Sequence, residues 1–331
     1  TNYYITLPAV NLETAFWLES DRMLGLAFNE KSLEVQRNVV CEEFKQRYLN
    51  QPYGDAWLRL RPLAYQVHPY RWATIGRALE HIEQARMEDV KAFFAKHYTP
   101  ENAILAVAGH VRTDDVKQLA EKWFGPISSG ERYVRRLPVE PEQLEPRREV
   151  VQADVPQNRL YIAFHGPARL DQGYHAMDLI SDILSQGQSS RLYRRLVKEQ
   201  EMFSEISAYQ TGSLDGNLFV VDGKPLPQTS MEAAEAAIWS ELEDLRNNLV
   251  DEYELQKVKN RIESTMVFAE MAILEKAMNL AYFELLGDAA GLNEEVNRYL
   301  GVTADNVREL AHTMFRTTNS STLIYLARSN A

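Results

Sequence analysis

The sequence predicts an α+β fold made of two related halves, the first of which lacks its opening segment. Three observations carry that expectation. Helix-like and strand-like stretches alternate along the chain, a long C-terminal stretch repeats an earlier one without a gap, and 331 residues with 45% apolar content suffice for two cores.

Taken in order, residues 1–8 (Thr1 to Pro8) read as a strand rather than a signal peptide, being β-branched and aromatic with a closing proline. Apolar periodicity predicts helices over 12–26 behind Asn11, 33–49 behind Ser32, 87–96 and 116–124. Residues 103–109, Ala-Ile-Leu-Ala-Val-Ala-Gly, have the length and turn boundary of a buried strand. From 137 to 148 the chain turns to Pro138, Pro141, Pro146 and scattered Glu, with no period of either kind. Such a stretch reads as a linker, between a first half at 1–136 and a second at 149–331. Beyond it come a strand at 159–164, helices at 174–184 and 190–198, a strand at 218–221, and long helices at 231–245 and 252–286.

The repeat has a constant offset of 217 residues. Met87-Glu88-Asp89-Val90-Lys91 lies over Ala304-Asp305-Asn306-Val307-Arg308, then Tyr98 over Phe315, Asn102 over Asn319 and Val107 over Ile324. The same offset lays Tyr4-Ile5-Thr6-Leu7-Pro8 over Val221-Asp222-Gly223-Lys224-Pro225. Self-similarity of this extent marks a duplicated domain, and it implies that roughly 70 residues of the first copy lie upstream of Thr1.

Composition excludes several functions. Forty-seven acidic against 36 basic residues, a net charge of −11, repel phosphate backbones and anionic lipid surfaces, and the Arg135-Arg136 and Arg191/Arg194/Arg195 groups are short and sit among acids. Nucleic acid is therefore not the expected partner. No stretch approaches the roughly 18 to 20 apolar residues of a membrane span. A single cysteine, Cys41, allows neither an intramolecular disulfide nor a multi-cysteine metal site, and reads as a small packed residue.

Several short stretches, in order and spacing, resemble the M16 (pitrilysin/insulinase-like, M16B-type) zinc peptidases. They are Thr1-Asn2-Tyr3-Tyr4 leading into Leu7-Pro8; Arg37-Asn38-Val39-Val40-Cys41-Glu42-Glu43; His68-Pro69-Tyr70 with Gly76; Tyr98-Thr99-Pro100-Glu101-Asn102 running into Val107-Ala108-Gly109; Phe124-Gly125; and Gly187-Gln188-Ser189-Ser190-Arg191-Leu192-Tyr193. The resemblance implies α/β rolls, two duplicated M16-type (LuxS/MPP-like) halves forming one side of a clamshell around an unfolded peptide. It also implies peptide hydrolysis by an inverted motif, His-x-x-Glu-His, whose histidines bind zinc and whose glutamate activates the metal-bound water. None of the seven histidines, His68, His81, His97, His110, His165, His175 and His312, has that spacing, so the motif is expected upstream of Thr1. This stretch alone is then expected to hold no zinc and no catalytic residue.

The third zinc ligand of the family follows an Arg-x-Val-Val-x-x-Glu pattern, which falls here on Arg37, Val39, Val40 and Glu43. Helical spacing sets Glu43 on one face with Gln36, Val39 and Val40, expected to be a packed side. By resemblance, Tyr3 and Tyr4 lie on a strand near the substrate edge, where an extended peptide can add to the sheet. His68 is expected to shape a loop, and Ser189 and Ser190 to cap a helix. Self-sufficient members carry an arginine and, seven residues on, a tyrosine in the second half; those positions hold Val197 and Ser204. The combination implies the zinc-bearing member of a pair with a second M16-type subunit, or a homodimer, with a bacterial periplasm or cell envelope as its home. The rival reading is a non-catalytic structural or chaperone-like M16 relative of the respiratory core-subunit type.

Overall fold

Among the described residues, 1–328 in this computed structural model, five strands form, and all of them lie beyond residue 146. In chain order the elements are α1 (Leu12–Leu24), α2 (Glu30–Phe44), α3 (Ala56–Ala64), α4 (Leu79–Glu83), α5 (Met87–His97), α6 (Thr113–Phe124), β1 (Arg147–Ala153), β2 (Arg159–Gly166), α7 (Tyr174–Ser185), β3 (Phe203–Gln210) and β4 (Asn217–Pro225). They continue with α8 (Met231–Asn247), α9 (Glu252–Ala269), α10 (Ile273–Leu286), α11 (Glu295–Leu300), α12 (Ala304–Met314) and β5 (Ser320–Ala327). The chain separates into two compact units. The first comprises Thr1–Glu42, Ala78–Arg136 and Glu263–Glu295, the second Glu43–Arg77, Leu137–Ile262 and Val296–Ala331.

The second unit holds one mixed sheet in the order β1-β5-β2-β4-β3, with β1 parallel to β5 and the other pairs antiparallel. β2 is central and buried on both faces, which is why 159–164 reads as a continuous apolar run rather than an alternating one. On one face Tyr161, Ala163, Leu218, Val220, Leu323 and Tyr325 pack under α3 through Ala56, Leu60 and Ala64. Towards α8 and α12, Phe164 meets Trp239 at a ring separation of 5.5 Å and Phe315 at 5.1 Å. Phe315 also meets Phe219 at 5.2 Å. Aromatic edges against faces at these separations add to what burial alone contributes.

The stretch before β1 is tied to this unit. Glu140 accepts backbone N–H bonds from Gln66, Val67 and His68 at 2.6, 2.9 and 2.8 Å, which holds its carboxyl below the usual range despite the opposing effect of burial. Buried Gln143 donates to the Ser320 carbonyl at 2.7 Å and accepts from the Ser321 hydroxyl at 3.2 Å. His165 lies under α3 with Nε2 3.0 Å from the Ala64 carbonyl. Burial lowers its pKa from the ordinary histidine value, against that carbonyl and Glu140.

The first unit is helical. Phe16 of α1 meets Phe124 of α6 at 6.1 Å, Glu13 accepts from Lys122 Nζ and Trp123 Nε1 at 2.5 and 3.1 Å, and Phe28 meets Phe94 of α5 at 5.1 Å. Residues 1–8 and 103–109 are not strands here, contrary to the sequence reading. A strand exists only when its backbone groups find a neighbour, and no described residue pairs with either segment. Three helical readings also change. The helix at 33–49 begins at Glu30, behind a reciprocal bond set between Asn29 and Ser32, and passes into a π-helical turn over Lys45–Leu49. The helix at 190–198 is largely π-helical, over Tyr193–Glu199. The single helix at 252–286 is two, interrupted after Ala269 and resumed at Ile273.

The 217-residue offset reappears in the structure to the residue. Met87–His97 and Ala304–Met314 are helices of equal length; Asp89 and Asn306 accept alike from the backbone N–H of Arg86 and Thr303, and at the second helix Thr303 closes a capping box by accepting from the Asn306 N–H. The 3-10 turns Pro100–Asn102 and Thr317–Asn319 follow at the same offset. Asn102 and Asn319 then each donate from the side-chain amide to a carbonyl near the end of the preceding helix, Lys96 at 3.2 Å and Met314 at 2.8 Å, acceptors one position apart in that offset.

Candidate functional site

Glu43 occupies the last turn of α2, one residue before the helix ends and widens into the π-helical turn. π-turns of this kind recur at functional sites, because the extra residue re-aims the side chains around it. Its side chain is 47% exposed and pairs with Arg47 Nε at 3.4 Å, one turn on. An exposed pair at that spacing contributes only about 0.3–0.5 kcal/mol, so the carboxylate is readily drawn to another partner. The packed side of α2 is not the one expected: Cys41 and Phe44 are buried, whereas Gln36 and Val39 are exposed, Val39 by 53%. Glu43 therefore faces away from the core. The helical spacing defined a face correctly but not which face is covered.

Tyr3 donates to or accepts from the Tyr98 hydroxyl at 2.6 Å, and the Arg22 guanidinium lies 4.3 Å from its ring. The bond to Tyr98, more than burial, raises the Tyr3 pKa. Tyr4 is 64% exposed. Tyr3 is thus held and Tyr4 is presented. Arg47 was legible as a partner of Glu43 from the four-residue spacing, but nothing in sequence signals Tyr98, 95 residues from Tyr3.

The Gly187-to-Tyr193 stretch is an ionic staple. Arg191 is 7% exposed, contacts Glu254 of α9 through Nη2 at 2.6 Å and Asp244 of α8 through Nη1 at 3.0 Å. Arg195 adds bonds to Glu241 and Asp244 at 2.7 and 3.1 Å. Ser190 donates to the Gly187 carbonyl at 2.7 Å rather than capping a helix, and Ser189 contacts Lys257 at 3.1 Å. Gly187 has φ +79°, which a side chain would strain. Val197 is half-buried in the π-helical turn, while the exposed Ser204 donates to the Lys224 carbonyl at 3.1 Å where β3 bulges against β4. Arg195, bound to two carboxylates, is not free to stand in for an arginine at position 197. His68 is buried, accepting from the Tyr70 N–H at 3.2 Å with Nε2 3.3 Å from Asp215, as a loop-shaping residue does.

No three or more His, Cys, Asp or Glu side chains among the described residues are placed to hold a metal ion, so these residues do not by themselves fit zinc. A catalytic site needs three protein ligands. Purified residues 1–331 are accordingly expected to carry well under one equivalent of zinc after dialysis; stoichiometric, chelator-sensitive zinc would contradict this reading. No described helix is long and apolar enough to cross a membrane.

Comparison with known proteins decides the family. Residues 85–262 match the family model described as the peptidase M16 inactive domain. The chain belongs to the peptidase M16 family. It is 27% identical over 326 residues to the zinc protease PqqE of Helicobacter pylori, covering 98% of this chain and 73% of that one. The crystal structure of a protease from the same organism superposes with a TM-score of 0.90 at 27% identity, over 96% of this chain and 78% of its own. The first half of the periplasmic protease PqqL from Escherichia coli shares the fold with a TM-score of 0.75 at 13% identity, over 98% of this M16 chain and 72% of its own.

Proposed function

We propose that the intact protein is a zinc-dependent metalloendopeptidase subunit in which Glu43 is one metal ligand and the remaining ligands and the general base come from a His-x-x-Glu-His segment outside residues 1–331. The observation that carries the reading is the Arg37-x-Val39-Val40-x-x-Glu43 pattern, with its carboxylate at the end of α2, exposed and paired among the described residues with Arg47. Relatives named as zinc proteases support it. Tyr3 and Tyr4 belong to the peptide-binding edge in this reading, with Tyr4 free to contact the substrate. Residues 137–148 link the two halves in this reading, and the name of the periplasmic protease PqqL supports a place in the cell envelope.

The protein works as the zinc-bearing member of a pair, because Val197 and Ser204 stand where an arginine and a tyrosine would bind substrate. A valine donates no hydrogen bond to a developing oxyanion, and loss of one such donor lowers rates by about 10²- to 10³-fold. The test compares peptide turnover by the zinc-loaded full-length protein alone and mixed with a second M16-type chain. An increase of about 10²-fold or more on mixing is expected; equal turnover would end the two-chain reading. An upstream segment with a degenerate zinc motif would favour the structural reading instead.

A further inference from the structure

We propose that the cleft between the last turn of α8 and the neighbouring face of α12 is a binding site for a small organic carboxylate. Neither zinc nor peptide cleavage plays a part in it.

The cleft encloses about 320 Å³ and is lined by Arg246 from α8 and by Arg308, Glu309, His312 and Thr313 from α12. Helical spacing puts Arg308 and His312 one turn apart, and likewise Glu309 and Thr313, so their side chains form two adjacent rows. Val307, Ala311 and Met314 are buried, which fixes the other side of α12 against the core and leaves these rows turned outward. A water takes roughly 30 Å³, so the cleft has room for a carboxylate with several carbons attached.

The deciding residue is Arg246. Its side chain is 22% exposed, its Nη1 stands 4.0 Å from Glu243, and its Nε is buried without a hydrogen-bond partner among the described residues. The last turn of α8 favours a cation in its own right. That placement does not explain a desolvated donor left unmet, which is costly. A planar carboxylate is the acceptor whose two oxygens match the guanidinium fork.

Charge narrows the class. Arg308 is committed to Asp305, three residues back, by an exposed pair at 2.7 Å, which contributes little and leaves the guanidinium able to turn. Two guanidiniums against the Glu309 carboxylate leave a single positive charge on these lining groups, which suits one negative charge on the ligand and disfavours two.

The internal repeat separates this cleft from the scaffold. At the 217-residue offset Val307 and Asn319 fall on Val90 and Asn102, whereas Glu309 and His312 fall on Ala92 and Ala95, and Thr313 falls on Lys96. Residues that build the helix and its turn recur in both copies. Most of those lining the cleft on α12 do not, so the fold does not require them.

The test titrates chelator-treated full-length protein with N-acetylalanine, its uncharged amide and inorganic phosphate. It follows the imidazole proton signals of His312, which His312→Gln identifies by removing them. N-acetylalanine should shift those signals with a Kd of about 1 mM, the amide should bind at least about 10-fold more weakly, and phosphate should also bind more weakly than the acid. Arg246→Met should weaken N-acetylalanine by about 10-fold or more. Arg316→Gln removes a cation that pairs with Glu142 outside the cleft lining and should leave the Kd unchanged. Glu309→Gln, at an exposed position, should tighten phosphate by about 3-fold or more. An amide that binds as well as the acid, phosphate that binds more tightly than N-acetylalanine, or a Kd unmoved by Arg246→Met would each overturn the proposal. If Arg246→Met does not fold, Arg308→Gln and Glu309→Gln decide the matter, and unchanged binding in both would overturn it.

Discussion

Full-length protein carrying Glu43→Gln is expected to lose its chelator-sensitive peptidase activity by about 10²-fold or more, and to retain substoichiometric zinc after dialysis. The amide keeps the size and hydrogen-bonding reach of the carboxylate but loses the charge that a metal ion needs, and even partners one shell further out cost about 10- to 100-fold when removed. Glu42→Gln is the control. It lies on an adjacent, also exposed position of the same helix turn, so a helix-stability effect would appear in both variants and a ligand effect only in Glu43→Gln. Equal zinc content in the wild type and the Glu43 variant would remove Glu43 from the metal site. Because that carboxylate pairs with Arg47 and both groups are largely exposed, no large stability change should accompany the loss.

Arg191→Met should destabilise the second unit by about 3–5 kcal/mol, because it strands the largely buried Glu254 carboxylate without its cation, while Asp244 keeps Arg195. For a body of this size that corresponds to a fall in Tm of roughly 10 °C. Arg194→Met, which removes a solvent-exposed pair with Glu199 at 3.7 Å, should change stability by less than about 1 kcal/mol. Adding Glu254→Gln to Arg191→Met should recover part of the loss, since the stranded charge, rather than lost packing, is the larger cost. Thermal unfolding of the four proteins measures all of this. A loss no greater than that of Arg194→Met would show that the Gly187-to-Tyr193 stretch is held by something other than its arginine.

What the sequence determined by itself was local or repeated. The α5 helix and its copy at α12 were legible because a helix is built from bonds spanning a few residues, and the 217-residue offset offered two independent copies of the same signals. The α3 helix was missed although Ala56, Leu60 and Ala64 repeat at helical spacing, because the stretch is short and contains Pro62. The π-helical turns were not legible, since they depend on how a helix end is packed. Glu43 and the Val197 and Ser204 positions were singled out by resemblance to a family pattern, and their roles are proposals.

Tertiary structure decided the rest. Residues 1–8 and 103–109 have strand composition, yet strand formation needs a neighbour that composition cannot supply, and the same 217-residue register forms strands in the second unit where β2 lies between them. The face of α2 that is covered, the bond between Tyr3 and Tyr98 across 95 residues, and the convergence of Asp244 and Glu254 on Arg191 all depend on elements distant in the chain. Periodicity states which residues share a face; only the packed neighbours state which face is buried.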